Sequence, residues 1–168
     1  MEQQVLNLED FLIELEKIVV KAKTEQKTLT ISYFDIGGFG TYNLLHTSKE
    51  ADSVLGLLTG ILSRQVSCDD LVSRIKEEDI ILTKDLDYDF GGDEFIVAFY
   101  SKSKEETENL LYNISTSFSN SFGKGERLSL SYKAYEYSSE LELSGKEILK
   151  KAFISMNEEE KEINNHKY

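Results

Sequence analysis

The sequence predicts an α+β domain in which one β-sheet is covered by helices. Two observations carry this. Four short runs rich in β-branched and aromatic residues (29–34, 70–75, 95–100 and 128–137) are separated by longer stretches with apolar residues at helical spacing. The order that results, αβααββαβα, contains no repeat and no linker, which suits one sheet with helices packed on it. The 168 residues are enough for one domain with a real core, written as 1–168 with residues 1–27 forming the N-terminal helical segment.

Each element has a local cause. Leu8, Phe11, Leu12, Leu15, Val19 and Ala22 form one stripe over residues 8–23, which Gln26-Lys27-Thr28 ends. Leu29 to Phe34 follows as a strand and closes at Asp35. With no proline in the chain, Gly37-Gly38 marks the next boundary, before a short helix around 40–47 and a longer one around 50–66 that carries Val54, Leu58, Ile61 and Leu62. Gly56 and Gly60 are expected to allow close helix packing. Asp70 to Ile75 reads as a short strand, and the acidic stretch 76–90 interrupts the pattern. Phe95 to Tyr100 is too apolar to be anything but a central strand. Ser103-Lys104-Glu105-Glu106 has the form of a capping box and opens a helix to about Ser117. Leu128 to Tyr137 alternates as a half-buried strand. A last helix from about Ser144 buries Ile148, Leu149, Ala152, Phe153 and Met156 before a charged tail.

Composition narrows the function classes. The net charge of −12 repels nucleic acid polymers, leaving a metal-bound nucleotide open. No stretch reaches the ~20 apolar residues of a membrane span, and the acidic N-terminus is no signal peptide, so a cytoplasmic protein without a membrane partner is expected. The single Cys68 excludes an intrachain disulfide and reads as a small core residue. His46 and His166 have no partners at metal-ligand spacing and read as surface residues. Gly123-Lys124-Gly125 lacks the spacing of a phosphate loop and reads as a turn. Asp85 to Asp89 superficially has the look of a calcium loop, but Phe90 stands where glycine is needed.

Acidic residues stand at two predicted strand ends. Asp35 closes the first strand, and Asp93-Glu94 open the apolar strand across a hairpin at Gly91-Gly92. Central pairing of these strands would bring the carboxylates to one edge of the sheet, an oxygen donor set suited to Mg²⁺ or Mn²⁺. Glycines at 37–38 and 91–92 would let phosphates approach backbone N–H groups. A pair of solvated acidic turns accounts for the same residues equally well.

Gly91-Gly92-Asp93-Glu94-Phe95 is the signature pentapeptide of the GGDEF-domain family, the diguanylate cyclases, and the chain resembles that family at other positions too. Asp35-Ile36-Gly37-Gly38-Phe39, with Asn43, resembles its first-strand motif D-I-D-x-F-K-x-I-N; Asp52 and Leu55 follow at the expected spacing, and Asp70-Leu71-Val72-Ser73-Arg74 resembles its D-L-V-x-R strand. The resemblance spans about residues 7 to 165. It implies a palm-like βααββαβ fold with a central antiparallel sheet. It also implies condensation of two GTP molecules to cyclic di-GMP with release of pyrophosphate, by a homodimer holding one GTP in each subunit. Carried onto this sequence, Asp35, the Ile36 carbonyl and Asp93 would hold two Mg²⁺ or Mn²⁺ ions, with Glu94 assisting and helping to deprotonate the attacking 3′-hydroxyl. Asn43 and Asp52 would read the guanine edge, with helix capping as the alternative for both. Gly37, Gly38, Phe39, Gly91 and Gly92 would complete the substrate site.

Departures from the family pattern bear on activity. Gly37 replaces a frequent Asp, Ala51 a glycine, and Gly40 a phosphate-contacting lysine, while Glu160 and Asn164 fall where Lys and Arg are usual. At ~1.5–3 kcal/mol for each charged hydrogen bond, such losses would weaken triphosphate binding greatly unless other groups replace them. The family's product-inhibition motif R-x-x-D has Ser67 or Leu82 at its arginine position, depending on alignment, so feedback through it is not expected. The stretch 76–90 reads as an insertion, either a hairpin extension or a lid or dimer contact beside the site. Three functions compete: a diguanylate cyclase or a related palm-type cyclase making another cyclic nucleotide, a degenerate domain that holds a nucleotide or protein without turnover, and a purely structural domain.

Overall fold

The computed structural model describes residues 3–86, 94–123, 125, 127–138 and 140–166. The elements are β1 (Val5–Leu6), α1 (Leu8–Glu25), β2 (Leu29–Gly37), α2 (Phe39–Leu45), α3 (Ser48–Gln65), β3 (Leu71–Ile75), a 3₁₀ turn (Glu77–Asp79), α4 (Ile80–Lys84), β4 (Glu94–Tyr100), α5 (Lys104–Asn120), β5 (Ser129–Tyr137) and α6 (Gly145–Asn165). The sheet runs β1-β3-β4-β2-β5. Its long strands are antiparallel, and β1, which the sequence did not signal, adds one parallel pair beside β3. The architecture is α+β, three layers deep.

Alternation along the strands assigns the two faces. Ile31 and Tyr33 of β2, with Ile96 and Ala98 of β4, pack against α1 and α6; Phe34 of β2, with Phe95, Val97 and Phe99 of β4, packs against α3 and α5. All seven residues of β4 are buried, as expected of a strand covered on both faces. The helix stripes behave as their spacing requires: Ile148, Leu149, Ala152, Phe153 and Met156 are buried from α6, and Leu8, Phe11, Leu15, Val19 and Ala22 from α1. Capping boxes at Thr47/Glu50 and Ser103/Glu106 start α3 and α5 by satisfying N–H groups left over in the first turn.

Some expectations are corrected. Helix α6 does not stop at a charged tail but continues to Asn165, because the tail is rich in Glu and Lys, strong helix formers. Cys68 is exposed, not a core residue, because it lies in the 67–70 turn ahead of β3. Gly56 faces open space and Gly60 meets only its own helix's Arg64 side chain, so neither mediates close helix packing.

The acidic segment from residue 76 is ordered where it is described. Lys76 N–H donates to Asp79 Oδ2 at 2.9 Å, the 3₁₀ turn passes into α4, and Leu86 is 1% exposed in the cluster beneath α1 and α6. Lys146 at the start of α6 lies 3.4 Å from Asp85. The segment is therefore anchored to the α1/α6 layer, and Leu86→Ala is expected to cost about 2–4 kcal/mol in urea unfolding. A change below about 0.5 kcal/mol would mean that this anchor is not made in solution.

Candidate active site

Strand register builds the site. β2 and β4 pair from Leu29↔Tyr100 to Phe34↔Phe95, and the next step of the same register sets Asp35 beside Glu94. By alternation both belong to the face that carries Tyr33 and Ile96, so two carboxylates stand side by side on the α1/α6 side, where β4 begins and β2 nears its end. Ile75 of β3 pairs with Glu94 on its other flank.

The two acids sit in different surroundings. Asp35 is exposed, yet the protein around it still strips enough water to raise its carboxyl above its ordinary value; the Ile36 N–H pulls in the opposite direction. Glu94 is 7% exposed. A buried and a rim carboxylate side by side form an oxygen-only donor set, which fits a hard divalent cation. Among the described residues no group of three or more His, Cys, Asp or Glu side chains is assembled for a metal. Gly91, Gly92 and Asp93, and the hairpin expected there, lie outside the described residues.

The strand does not close at Asp35 as expected but runs on to Gly37, held by its pairing with β5, and the chain turns at Gly38. Gly38 has φ +83°, and a Cβ there would stand 2.6 Å from the Arg127 carbonyl oxygen, so only glycine fits. At Gly37 a Cβ would stand 2.7 Å from Ser129 Oγ, the side chain opposite it on β5. Phe39 is buried and anchors α2 to the α3/α5 side, while Gly40 is exposed with open space around it. Ile36 contributes its side chain to the same core.

Asn43 and Asp52 are both exposed, on α2 and α3. Neither caps a helix: Gly38 and His46 bound α2, and Thr47 caps α3. That removes the structural alternative for the pair and leaves both polar groups presented to solvent. A cavity of about 330 Å³ opens on another face of α2, lined by Gly38, Thr41, Tyr42, Leu45, His46 and Arg127. His46 is not a plain surface residue, since its ring stacks on Tyr42 at 3.9 Å between centroids.

The two positions at which the inhibition motif would carry its arginine, Ser67 and Leu82, hold no cation. Ser67 is exposed, and Leu82 packs against the core. Asp70, three residues after Ser67, is 0% exposed and is consumed by the fold: it accepts from Ser67 N–H at 2.8 Å, Tyr100 N–H at 2.9 Å and Lys102 Nζ at 3.0 Å.

Comparison with solved structures decides the architecture. The chain superposes on the coiled coil and GGDEF domain of DgcB from Caulobacter crescentus, solved in complex with c-di-GMP, with a TM-score of 0.73 at 16% identity, covering 95% of this chain and 81% of that one. The chain has the GGDEF-domain fold. Similar GGDEF-domain structures include that of FimX from Pseudomonas aeruginosa (TM-score 0.70, 18% identity, 94% and 93% covered). The active GGEEF domain of a diguanylate cyclase from Vibrio cholerae matches with a TM-score of 0.65 at 19% identity, covering 80% and 78%. No sequence profile of a known family and no curated protein matches the chain. Among the described residues no helix is long and apolar enough to cross a membrane.

Proposed function

We propose that this GGDEF-fold chain is a divergent diguanylate cyclase: a metal-dependent nucleotidyltransferase that condenses two GTP into cyclic di-GMP and releases pyrophosphate. The observation that supports it most is the placement of Asp35 beside Glu94, a residue of the signature pentapeptide, on one face of the sheet. In each of two equivalent steps a 3′-hydroxyl oxygen bonds to an α-phosphorus, the bond to the bridging pyrophosphate oxygen breaks, and the hydroxyl proton leaves. Asp35, the Ile36 carbonyl and Asp93 would hold Mg²⁺ or Mn²⁺, two ions per site, and Glu94 would take the 3′-hydroxyl proton. When bound, the ions would make that hydroxyl more acidic and neutralise charge on the departing pyrophosphate. Asn43 and Asp52 would pair with the donor and acceptor groups of the guanine edge. Because one chain offers one such site, closing the ring requires a second subunit, so a homodimer is part of the proposal.

A second reading, a domain that holds a nucleotide without turnover, draws on Gly40, which presents open space where the family pattern has a lysine. The test is incubation of the purified protein with Mg²⁺ or Mn²⁺ and each nucleoside triphosphate, alone and mixed, with products resolved by mass spectrometry. Cyclic di-GMP that disappears in Asp93→Ala is the expected result. A different cyclic product would assign a sister cyclase, and no product at protein concentrations that favour a dimer would favour the binding module.

A further inference from the structure

The triphosphate of the proposed substrate needs cationic or hydroxyl donors, and α2 supplies no cation, since Gly40 is bare there. β5 does supply donors. Its register against β2 sets Ser129 opposite Gly37, Ser131 opposite Asp35 and Lys133 opposite Tyr33. These three β5 residues alternate with Leu130, Tyr132 and Ala134, which pack on the α3/α5 side, so they belong to the face that carries Asp35 and Glu94. Ser129 and Ser131 are exposed and Lys133 is half-buried. Lys133 is the diagonal neighbour of Asp35, a separation of ~7 Å between such positions that a lysine side chain spans.

Gly37 makes the arrangement possible. A side chain there would collide with Ser129 Oγ, so the glycine leaves that hydroxyl standing over the strand end, two residues from the Asp35 carboxylate. Where the family pattern often has a second carboxylate, this chain has a gap with a hydroxyl above it, which lowers negative charge where phosphates would lie.

We propose that Ser129, Ser131 and Lys133 of β5 form a phosphate-recognition strip that contacts the β- and γ-phosphates of a metal-bound nucleoside triphosphate. The strip rests on the nucleotide-site reading above and adds residues that reading does not assign. Lys133 contributes the charge, and the two hydroxyls donate to phosphate oxygens.

Equilibrium binding of a non-hydrolysable GTP analogue and of GMP, both with Mg²⁺, tests it on the wild-type chain, Lys133→Gln, Lys133→Arg and Ser129→Asp. Lys133→Gln is expected to weaken the triphosphate analogue about 10-fold and leave GMP within about 2-fold, because only the longer ligand reaches the strip. Lys133→Arg should restore most of the affinity, and Ser129→Asp, at an exposed position, should weaken the analogue at least as much as Lys133→Gln. Far-UV circular dichroism of each variant identifies any that has lost its fold. Unchanged analogue affinity in both Lys133→Gln and Ser129→Asp overturns the strip and leaves the nucleotide site standing. Equal losses for analogue and GMP also overturn it, by pointing to general damage. Failure of the wild-type chain to bind either ligand sinks the nucleotide site itself, and the strip with it.

Discussion

Replacing Asp35 by asparagine is expected to reduce cyclic dinucleotide formation by at least about 100-fold while leaving the protein as stable as before or slightly more so. The carboxylate stands two residues before the end of β2, and the protein around it already disfavours its charged form. Among the described residues only the Ile36 N–H favours the charge. An acid so placed serves the fold poorly at neutral pH, and a divalent cation would reverse the balance by compensating the charge. The amide keeps the shape but is a far weaker metal ligand. The sign of the linkage follows from the raised folded-state value: any stability tied to the protonated form is fully present below the ordinary value of 3.8 and is lost as pH rises through the folded value. The variant's stability advantage should therefore vanish in acid and open as pH rises above about 4. Activity of Asp35→Asn within about threefold of wild type would remove Asp35 from the metal site, and a large loss of stability would mean that the carboxylate is structural.

Asp70→Ala is expected to be the most damaging substitution for the fold, at about 3–5 kcal/mol in denaturant unfolding. The carboxylate is fully buried and joins the start of β3 to the end of β4 through the Ser67 and Tyr100 N–H groups and the Lys102 ammonium. Truncation leaves two backbone donors without their acceptor. Lys102 is spared the worst, since it keeps partial access to water and can turn outward. Asp70→Asn keeps acceptors for the N–H groups but loses the charge attraction, so about half the cost is expected. A loss under about 1 kcal/mol for Asp70→Ala would show that the network contributes little net stability. The same burial means that Asp70 is not available to a ligand, which matches the missing arginine at Ser67.

The sequence made the helix stripes and the central strand legible because both leave a period behind. It also made Asp35 and Glu94 a pair, since strand ends and alternation need no distant information. Cys68 was misread because its exposure depends on the turn that Asp70 closes with a strand end thirty residues away. The α4 segment was missed because five residues are too few to show a helical period among acids. The strip on β5 was not legible either: residues 129–137 alternate plainly, but only the register with β2 tells which residue faces Gly37.

That register also has a kinetic side. β2 is flanked by β4 and β5, so the strand that carries Asp35 closes its ladder only when Leu29 has found Tyr137. Much of the sheet is thus built from partners distant in sequence, an arrangement that slows folding because chain entropy is lost before the contacts reward it. During synthesis β2 must wait for most of the chain to emerge, its edges open to wrong partners meanwhile. The face on which the carboxylates stand is complete only once β5, the last strand in the sequence, has paired with β2.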